Sequence, residues 1–311
     1  MITAAVKITA GFILDLLLGD PQRFPHPVRL IGSMIIFLEK HLRRRYFQRF
    51  AGVILVAGVL FTVYPLTGFI SELSWALEVF IIYTVFAVRS LSSEAMKIYV
   101  SLVSGDIDKA RKQVSFLVSR DTDGMERGEI IRAAVETVTE NMVDGVISPM
   151  FYLFVGGAPL GMAYKAANTI DSMIGYKNEK YILFGWCGAR LDDLLNFIPA
   201  RITGFILIPA AALFTGGSLR GAYRILMLHR YNHSSPNSGH PEAAAAGALG
   251  IRLGGPVSYF GVLHEKPYIG ESCRELEPED IKKAVILLHA VSVAGLILGW
   301  LTVIVCSCLI K

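Results

Sequence analysis

Acids, amides and bases crowd the stretch from Glu136 to Arg201, threaded between apolar runs such as residues 147–153. Ionisable groups at membrane depth are costly unless they meet a partner, an ion or water, so their accumulation marks a site, here one suited to a metal-bound anionic substrate. Three groupings stand out. Glu129, Arg132, Glu136, Glu140 and Asp144 recur every three or four residues, which brings them onto one face of a helix. Carboxylates one turn apart repel unless a divalent cation joins them, and oxygen-only ligands suit magnesium better than zinc; the same face also suits general-base work, or simple solvation. In the second grouping, Asn168 and Asp171 lie one turn apart with Lys165 a turn back and Ser172 beside them. That sets two oxygen ligands next to a cation, as a metal-bridged phosphate requires, or as a buried salt bridge requires. The third is Arg190, Asp192, Asp193, Asn196 and Arg201, where adjacent aspartates diverge: one is placed to bind metal while the other orients an arginine, unless the whole is a structural ion-pair network.

Two loops add binding chemistry. His233, Ser234, Ser235, Asn237, Ser238 and His240 precede Pro241, Glu242 and an alanine-rich run to Leu249. Small polar residues followed by proline predict a helix N-terminus, whose free backbone N–H groups receive an anion or are simply capped. Earlier, Gly19, Asp20 and Pro21 followed by Phe24, Pro25, His26, Pro27, Val28 and Arg29 predict a rigid loop in which His26 either binds a ligand or is hydrogen-bonded structurally.

The elements that must position these groups are set by hydropathy. Of 311 residues 53% are hydrophobic and 18% charged, leaving too little polar surface for a soluble domain of this length. We therefore expect an all-α, polytopic integral membrane helix bundle, a single domain over residues 1–311. Apolar runs at 8–18, 52–70, 75–88 and 284–309 approach the roughly 20 residues a spanning helix needs. The first run carries Asp15, only Lys7 as a base, and no small-residue cleavage site, so it reads as a retained helix rather than a signal peptide. Arg23, Arg29, Lys40, Arg43, Arg44, Arg45 and Arg49 fall between the first two runs, and the positive-inside rule puts that loop in the cytoplasm. Two more runs, 146–163 and 197–214, are broken by Pro149, Gly156, Gly157, Pro159, Pro199, Gly204 and Pro209. Re-entrant or broken helices there bring the polar segments to the cytoplasmic face, whereas two full spans would separate them. Amphipathic helices are expected over 105–119 and 129–142, and cytoplasmic helical and loop regions over 89–141 and 220–283.

The net charge of +4, without a basic domain interleaved with aromatics, argues against nucleic acid as a partner. Cys187, Cys273, Cys306 and Cys308 show no CxxC or histidine spacing, which favours reduced thiols over a disulfide frame or zinc site.

The runs DLLLGDPQRFPHPVRLIG (15–32), RDTDGMERGEIIRAAVETVTENMVDGVISPMFY (120–152), KAANTIDSMIGYKNEKYILFGWCGARLDDLLNFIPAR (165–201) and HRYNHSSPNSGHPEAAAAGALGIRLGG (229–255) resemble, in order, those of the CbiB/CobD family, the adenosylcobinamide-phosphate synthases of cobalamin biosynthesis. The resemblance implies a multi-pass cell-membrane ligase whose active site faces the cytoplasm. It would join the free propionate of adenosylcobyric acid to an amino-alcohol phosphate, using ATP and magnesium. The corrinoid would be a substrate, and the lipid bilayer and other cobalamin-assembly enzymes would be partners. That chemistry assigns metal binding to Glu136, Glu140, Asn168, Asp171 and Asp192. Phosphate and substrate contacts fall to Lys165, Arg190, Arg201, Asn237, Ser238, His240 and His26. Asp144, with Glu136, would be the catalytic base. Phe151, Tyr152, Trp186 and Tyr259 offer apolar surface to the macrocycle. There is no GxxxxGK[ST] loop to locate a nucleotide. Two readings of other classes remain: a transporter, whose sites also combine broken helices with charges, and a non-catalytic anchor for enzymes of the pathway.

Overall fold

The computed structural model describes residues 1–20, 26–43, 46–259, 261–272 and 274–309. Helices dominate: α1 (Ile2–Leu18), α2 (Pro27–Leu42), α3 (Gln48–Leu73), α4 (Trp75–Tyr83), α5 (Val88–Val103), α6 (Ile107–Val114), α7 (Arg127–Met142), α8 (Ser148–Ile174), α9 (Trp186–Leu195), α10 (Phe197–Ile202), α11 (Ile208–Ala211), α12 (Leu219–His229), α13 (Gly239–Leu249) and α14 (Pro278–Leu309). Two single π-helical turns, Val143–Ile147 and Thr203–Leu207, interrupt the series. Among the described residues five stretches are long and apolar enough to cross a membrane: Gln48–Leu73, Trp75–Val103, Arg127–Ile174, Phe197–Thr215 and Pro278–Leu309. The chain is an all-α, multi-pass membrane bundle.

Two compact units emerge from the packing, one of Met1–Ala87, Asp144–Asn196 and Leu296–Lys311, the other of Val88–Val143 and Phe197–Gly295. In the first, α3 packs on α2, α4, α8 and α9, and α1 on α4 and α8. Helix α3 buries Ala51, Gly52, Leu55, Val56, Val59, Val63 and Thr67 at helical spacing while Phe61 and Phe69 stay exposed, the pattern of a helix with a protein face and a lipid face. Gly52 is required: a Cβ there would lie 2.0 Å from the Phe184 carbonyl oxygen. Helix α1, at 17 residues, is not among the five long apolar stretches. Its Lys7 pairs with Glu78 of α4, its Asp15 is buried, and Trp300 Nε1 donates to Thr9 Oγ1 at 2.9 Å. Helix α8 breaks at Gly156 and Gly157, the latter at φ +69°, with Pro159 following, as the glycines and prolines of that run predict.

In the second unit α13 packs on α12 and α7, and α5 on α6 and α7. Helix α13 buries all eleven of its residues, which its alanines and glycine permit through close approach: a Cβ on Gly247 would meet the Gly221 carbonyl oxygen at 2.2 Å. Two antiparallel pairs of three-residue strands follow, β1 (Arg252–Gly254) with β4 (Tyr268–Gly270) and β2 (Val257–Tyr259) with β3 (Val262–His264). Part of the loop expected within 220–283 is thus strand, because strands this short carry no readable alternation. The rigid loop expected around His26 gives way to α2, for which Pro27 at the first turn and His26 at the N-cap are helix-start signals.

Candidate functional site

The second unit holds a cavity of about 630 Å³, lined among others by Arg120, Glu136, Glu140, Asn141, His233, Ser235, Glu242, Gly254, Tyr259 and Lys266. Helix α7 supplies its acidic wall. Glu136, one turn after Arg132 and buried, accepts from the Arg120 guanidinium through Oε2 and from the Gly254 N–H at 2.7 Å through Oε1. Arg132 in turn donates to the Gly254 carbonyl at 3.2 Å, so two side chains of one helical face hold both sides of one peptide residue. Gly254 and Gly255 lie at φ +70° and +88°, left-handed backbone that only glycine adopts without cost, which explains the glycine pair. Glu140, a turn beyond Glu136, is exposed and accepts from Ser238 Oγ at 3.2 Å.

Helix α13 supplies Glu242, fully inside the unit, whose carboxyl is held well above the usual range by burial, reinforced by Glu136 and Glu140. His233 Nε2 lies 3.7 Å from Glu242 Oε1, while His233 Nδ1 accepts from the Ser235 N–H at 3.0 Å. That acceptor role puts the ring proton on Nε2, facing Glu242. Burial also holds His233 below its ordinary value. The pair sets an imidazole N–H towards a carboxyl group in the cavity wall. On the remaining wall Lys266 Nζ donates to Tyr259 Oη at 3.0 Å.

Arg201 fixes the loop before α13. It donates to Asn237 Oδ1 at 2.8 Å and to the Phe197 carbonyl at 2.9 Å, with its guanidinium 3.6 Å over the Phe197 ring. His240 is 2% exposed and its Nδ1 has no partner among the described residues; burial, then Arg201 and Arg230, push its pKa down to about 4. The backbone N–H groups of His240 and Glu242 donate to the carbonyls of Asn237 and Ser238. These two N–H groups at the helix start are therefore not free to receive an anion.

The first unit contains a separate polar core. Asn168 Nδ2 donates to Asp192 Oδ1 at 3.2 Å and to Asp144 Oδ2 at 3.4 Å. Asn196 Nδ2 donates to Asp192 Oδ2 at 2.9 Å, and Asn196 Oδ1 accepts from Ser148 Oγ at 2.5 Å and Tyr164 Oη at 2.9 Å. Lys165 is within electrostatic reach of Asp144, Asp192, Asp20 and Asp15.

The chain matches the CobD/Cbib protein family over residues 8–288. It belongs to that family. A Geobacter metallireducens relative named cobalamin biosynthesis protein CobD is 47% identical over 306 residues, covering 93% of each chain. One from Clostridium perfringens with the same name is 44% identical, covering 94% of this chain and 96% of its own. A Salmonella typhimurium protein named cobalamin biosynthesis protein CbiB is 44% identical over 93% of this chain and 94% of its own. No solved structure matches the chain.

Against this family frame the residues singled out from sequence fall into two sets. Glu136, Glu140, Arg201, Asn237, Ser238 and His240 lie in the second unit, with Glu140 joined to Ser238 and Arg201 to Asn237. Asp144, Lys165, Asn168, Asp171, Arg190, Asp192 and His26 lie in the first, where Asp144, Asn168 and Asp192 meet. Asp144 begins its unit inside the π-helical turn, not on the straight helix that its spacing from Glu140 predicts. His26 Nδ1 caps α2 by accepting from the Val28 N–H at 3.3 Å, and its Nε2 lies 3.7 Å from Asp20 Oδ1. Burial lowers the pKa of His26. Arg190 is exposed beside Asp193. Among the described residues no three His, Cys, Asp or Glu side chains gather as a metal cage. Sequence reasoning missed Arg120 and Lys266 and gave His233 and Glu242 no role of their own. Arg120 stands 16 residues before Glu136, at no helical spacing, so no periodic signal marks the pair.

Proposed function

We propose that the chain forms an amide bond in cobalamin biosynthesis, joining the free propionate of adenosylcobyric acid to an amino-alcohol phosphate, with ATP and magnesium, as an adenosylcobinamide-phosphate synthase. The observation that carries the reading is the coincidence of family membership over residues 8–288 with a cavity whose walls alternate acids and bases. A carboxylate is a poor acyl donor. Transfer of the terminal ATP phosphoryl group to the propionate would give an acyl phosphate and ADP; attack by the amine would then form the amide and release phosphate and a proton.

The residues present fit that sequence of charges. Arg120 and Lys266 suit phosphate oxygens, and the exposed Glu140 carboxylate can receive the ammonium proton. Magnesium takes one or two carboxylates and completes its shell with phosphates and water, so Glu140 beside Asn141 in the cavity wall is one suitable oxygen-only donor pair, and Asp144, Asn168 and Asp192 within the first unit are a separate donor set. When bound, the ion would offset phosphate charge. A cavity of this size admits a nucleotide or an amino-alcohol phosphate but not a whole corrinoid, which would present only its propionate arm. Ser238, Asn237 and Arg201 are the proposed contacts to the amine's phosphate. Lys165, Asp171, Arg190 and His240 keep their proposed substrate and metal roles, which the chemistry of their side chains allows.

We place the active site on the cytoplasmic face, on the strength of Lys40, Arg43, Arg44, Arg45 and Arg49 in the first loop. Single cysteines at Lys177 and Asn237 should label from the same side. Mass spectrometry of products from purified protein with adenosylcobyric acid, an amino-alcohol phosphate, ATP and magnesium should show the amide. Its absence with all substrates present, together with counter-flow in proteoliposomes, would replace the reading by transport.

A further inference from the structure

Of the two donors that hold Glu136, the backbone amide is arranged independently of it. Arg120 reaches Oε2 and the Gly254 N–H reaches Oε1, one donor to each oxygen. The Gly254 N–H is aimed by left-handed backbone and by Arg132 on its carbonyl, and neither depends on the Glu136 carboxylate. Two converging donors, one a guanidinium and one a backbone amide, recur where phosphate is bound, and Lys266 adds a cation on the wall of the same cavity. Glu136 also shares that cavity with Glu140 and Glu242, so its own charge is placed among like groups.

We infer that Arg120, the Gly254 N–H and Lys266 form an oxyanion site for a phosphate group, for which the Glu136 carboxylate competes. The inference rests on the reading of this cavity as the reaction site and names the residues that take phosphate there. An entering phosphate displaces Glu136 from Arg120, and the freed carboxylate then faces the cavity, available to an ammonium or a metal ion. Phosphate occupancy and Glu136 availability are thereby coupled. The phosphate group belongs either to a polyphosphate chain or to a monophosphate, and the two are separable by probe.

The test is equilibrium titration of the purified full chain in detergent with pyrophosphate and, separately, inorganic phosphate, in EDTA. Removing a competitor tightens binding, so Glu136→Gln should lower the Kd by about tenfold or more, the order of one charge-assisted hydrogen bond released. A gain for pyrophosphate alone assigns the site to a polyphosphate, and a gain for both to a monophosphate. Arg120→Gln added to Glu136→Gln should abolish the gain. Lys266→Met, outside the clasp and half-buried, should weaken binding by about tenfold in either background and remains decisive if Glu136→Gln does not fold. Unchanged or weaker binding by Glu136→Gln, unchanged binding by Lys266→Met, or binding that appears only with magnesium would each overturn the inference. Amide formation by the unaltered protein is scored separately, so loss of the proposed reaction and loss of this site give different results.

Discussion

Asn196 joins Ser148, Tyr164 and Asp192 in the buried polar core, and replacing it with alanine tests whether that core holds the first unit together. The substitution removes three hydrogen bonds at once, those from Ser148 and Tyr164 and that to Asp192. In water-soluble cores each stranded buried group costs about 1–3 kcal/mol. Between membrane helices the average is nearer 0.6 kcal/mol with a maximum of about 1.7, because the unfolded chain in lipid also finds partners. Three bonds on the membrane scale give about 2–5 kcal/mol, and Ser148→Ala, which removes one, about 0.6–1.7 kcal/mol. Unfolding of the detergent-solubilised protein by graded SDS, with wild type, both single variants and the double variant, yields both costs and their coupling. A nonzero coupling of about 0.5 kcal/mol or more is expected because the groups share one amide. Should Asn196→Ala match wild type, or cost no more than Ser148→Ala, the core contributes no cooperative stability and the reasoning fails.

The histidine at the start of α13 gives a pH signature. With a pKa of about 4 in the fold, His240 stays neutral where the unfolded chain protonates, so stability is complete above about pH 6.5 and is lost as pH falls towards 4, by at most about 3 kcal/mol. Melting temperature from pH 7 to 5 should fall less for His240→Gln than for wild type. Glu242 shifts the other way: its raised pKa means that Glu242→Gln mimics the favoured form and should melt at or above wild type at pH 7 and higher, while a fall of several degrees would show that the ionised form is needed. Gly52→Ala should destabilise by several kcal/mol, since its Cβ would overlap backbone at 2.0 Å, and unaltered SDS resistance would refute the tight packing of α3.

How much of this was legible in the sequence follows from the range over which each signal acts. Helix α7 and the glycine–proline break of α8 were readable because periodicity and backbone restriction are local. The departure of Asp144 from the face that carries Glu136 and Glu140 was not, since a spacing rule assumes an unbroken α-helix and the π-turn at Val143–Ile147 violates that assumption. Asn168 and Asp192 belong to separate groupings in the sequence and meet only through tertiary closure, as does Asn196 with Ser148 across 48 residues. Arg120 and Lys266 belong to loops whose direction is set by turns, and no spacing predicts their approach to α7. The strand pairs over Arg252–Gly270 escaped for a simpler reason: three residues are too few to show a period.

The π-turns make chain length itself a functional variable. Each accommodates one residue more than an α-helical path, and each residue of a helix accounts for roughly 100° of rotation. Because the turn already absorbs the extra residue, deleting one from Val143–Ile147 would restore regular winding and leave the residues after it in place. What would change is the turn itself, and with it the aim of Asp144, while Tyr164, Lys165 and Asn168 lie beyond the separate break at Gly156 and Gly157. The insertion works like the offset in a vernier, so that Val143–Ile147 should tolerate substitution far better than a gap.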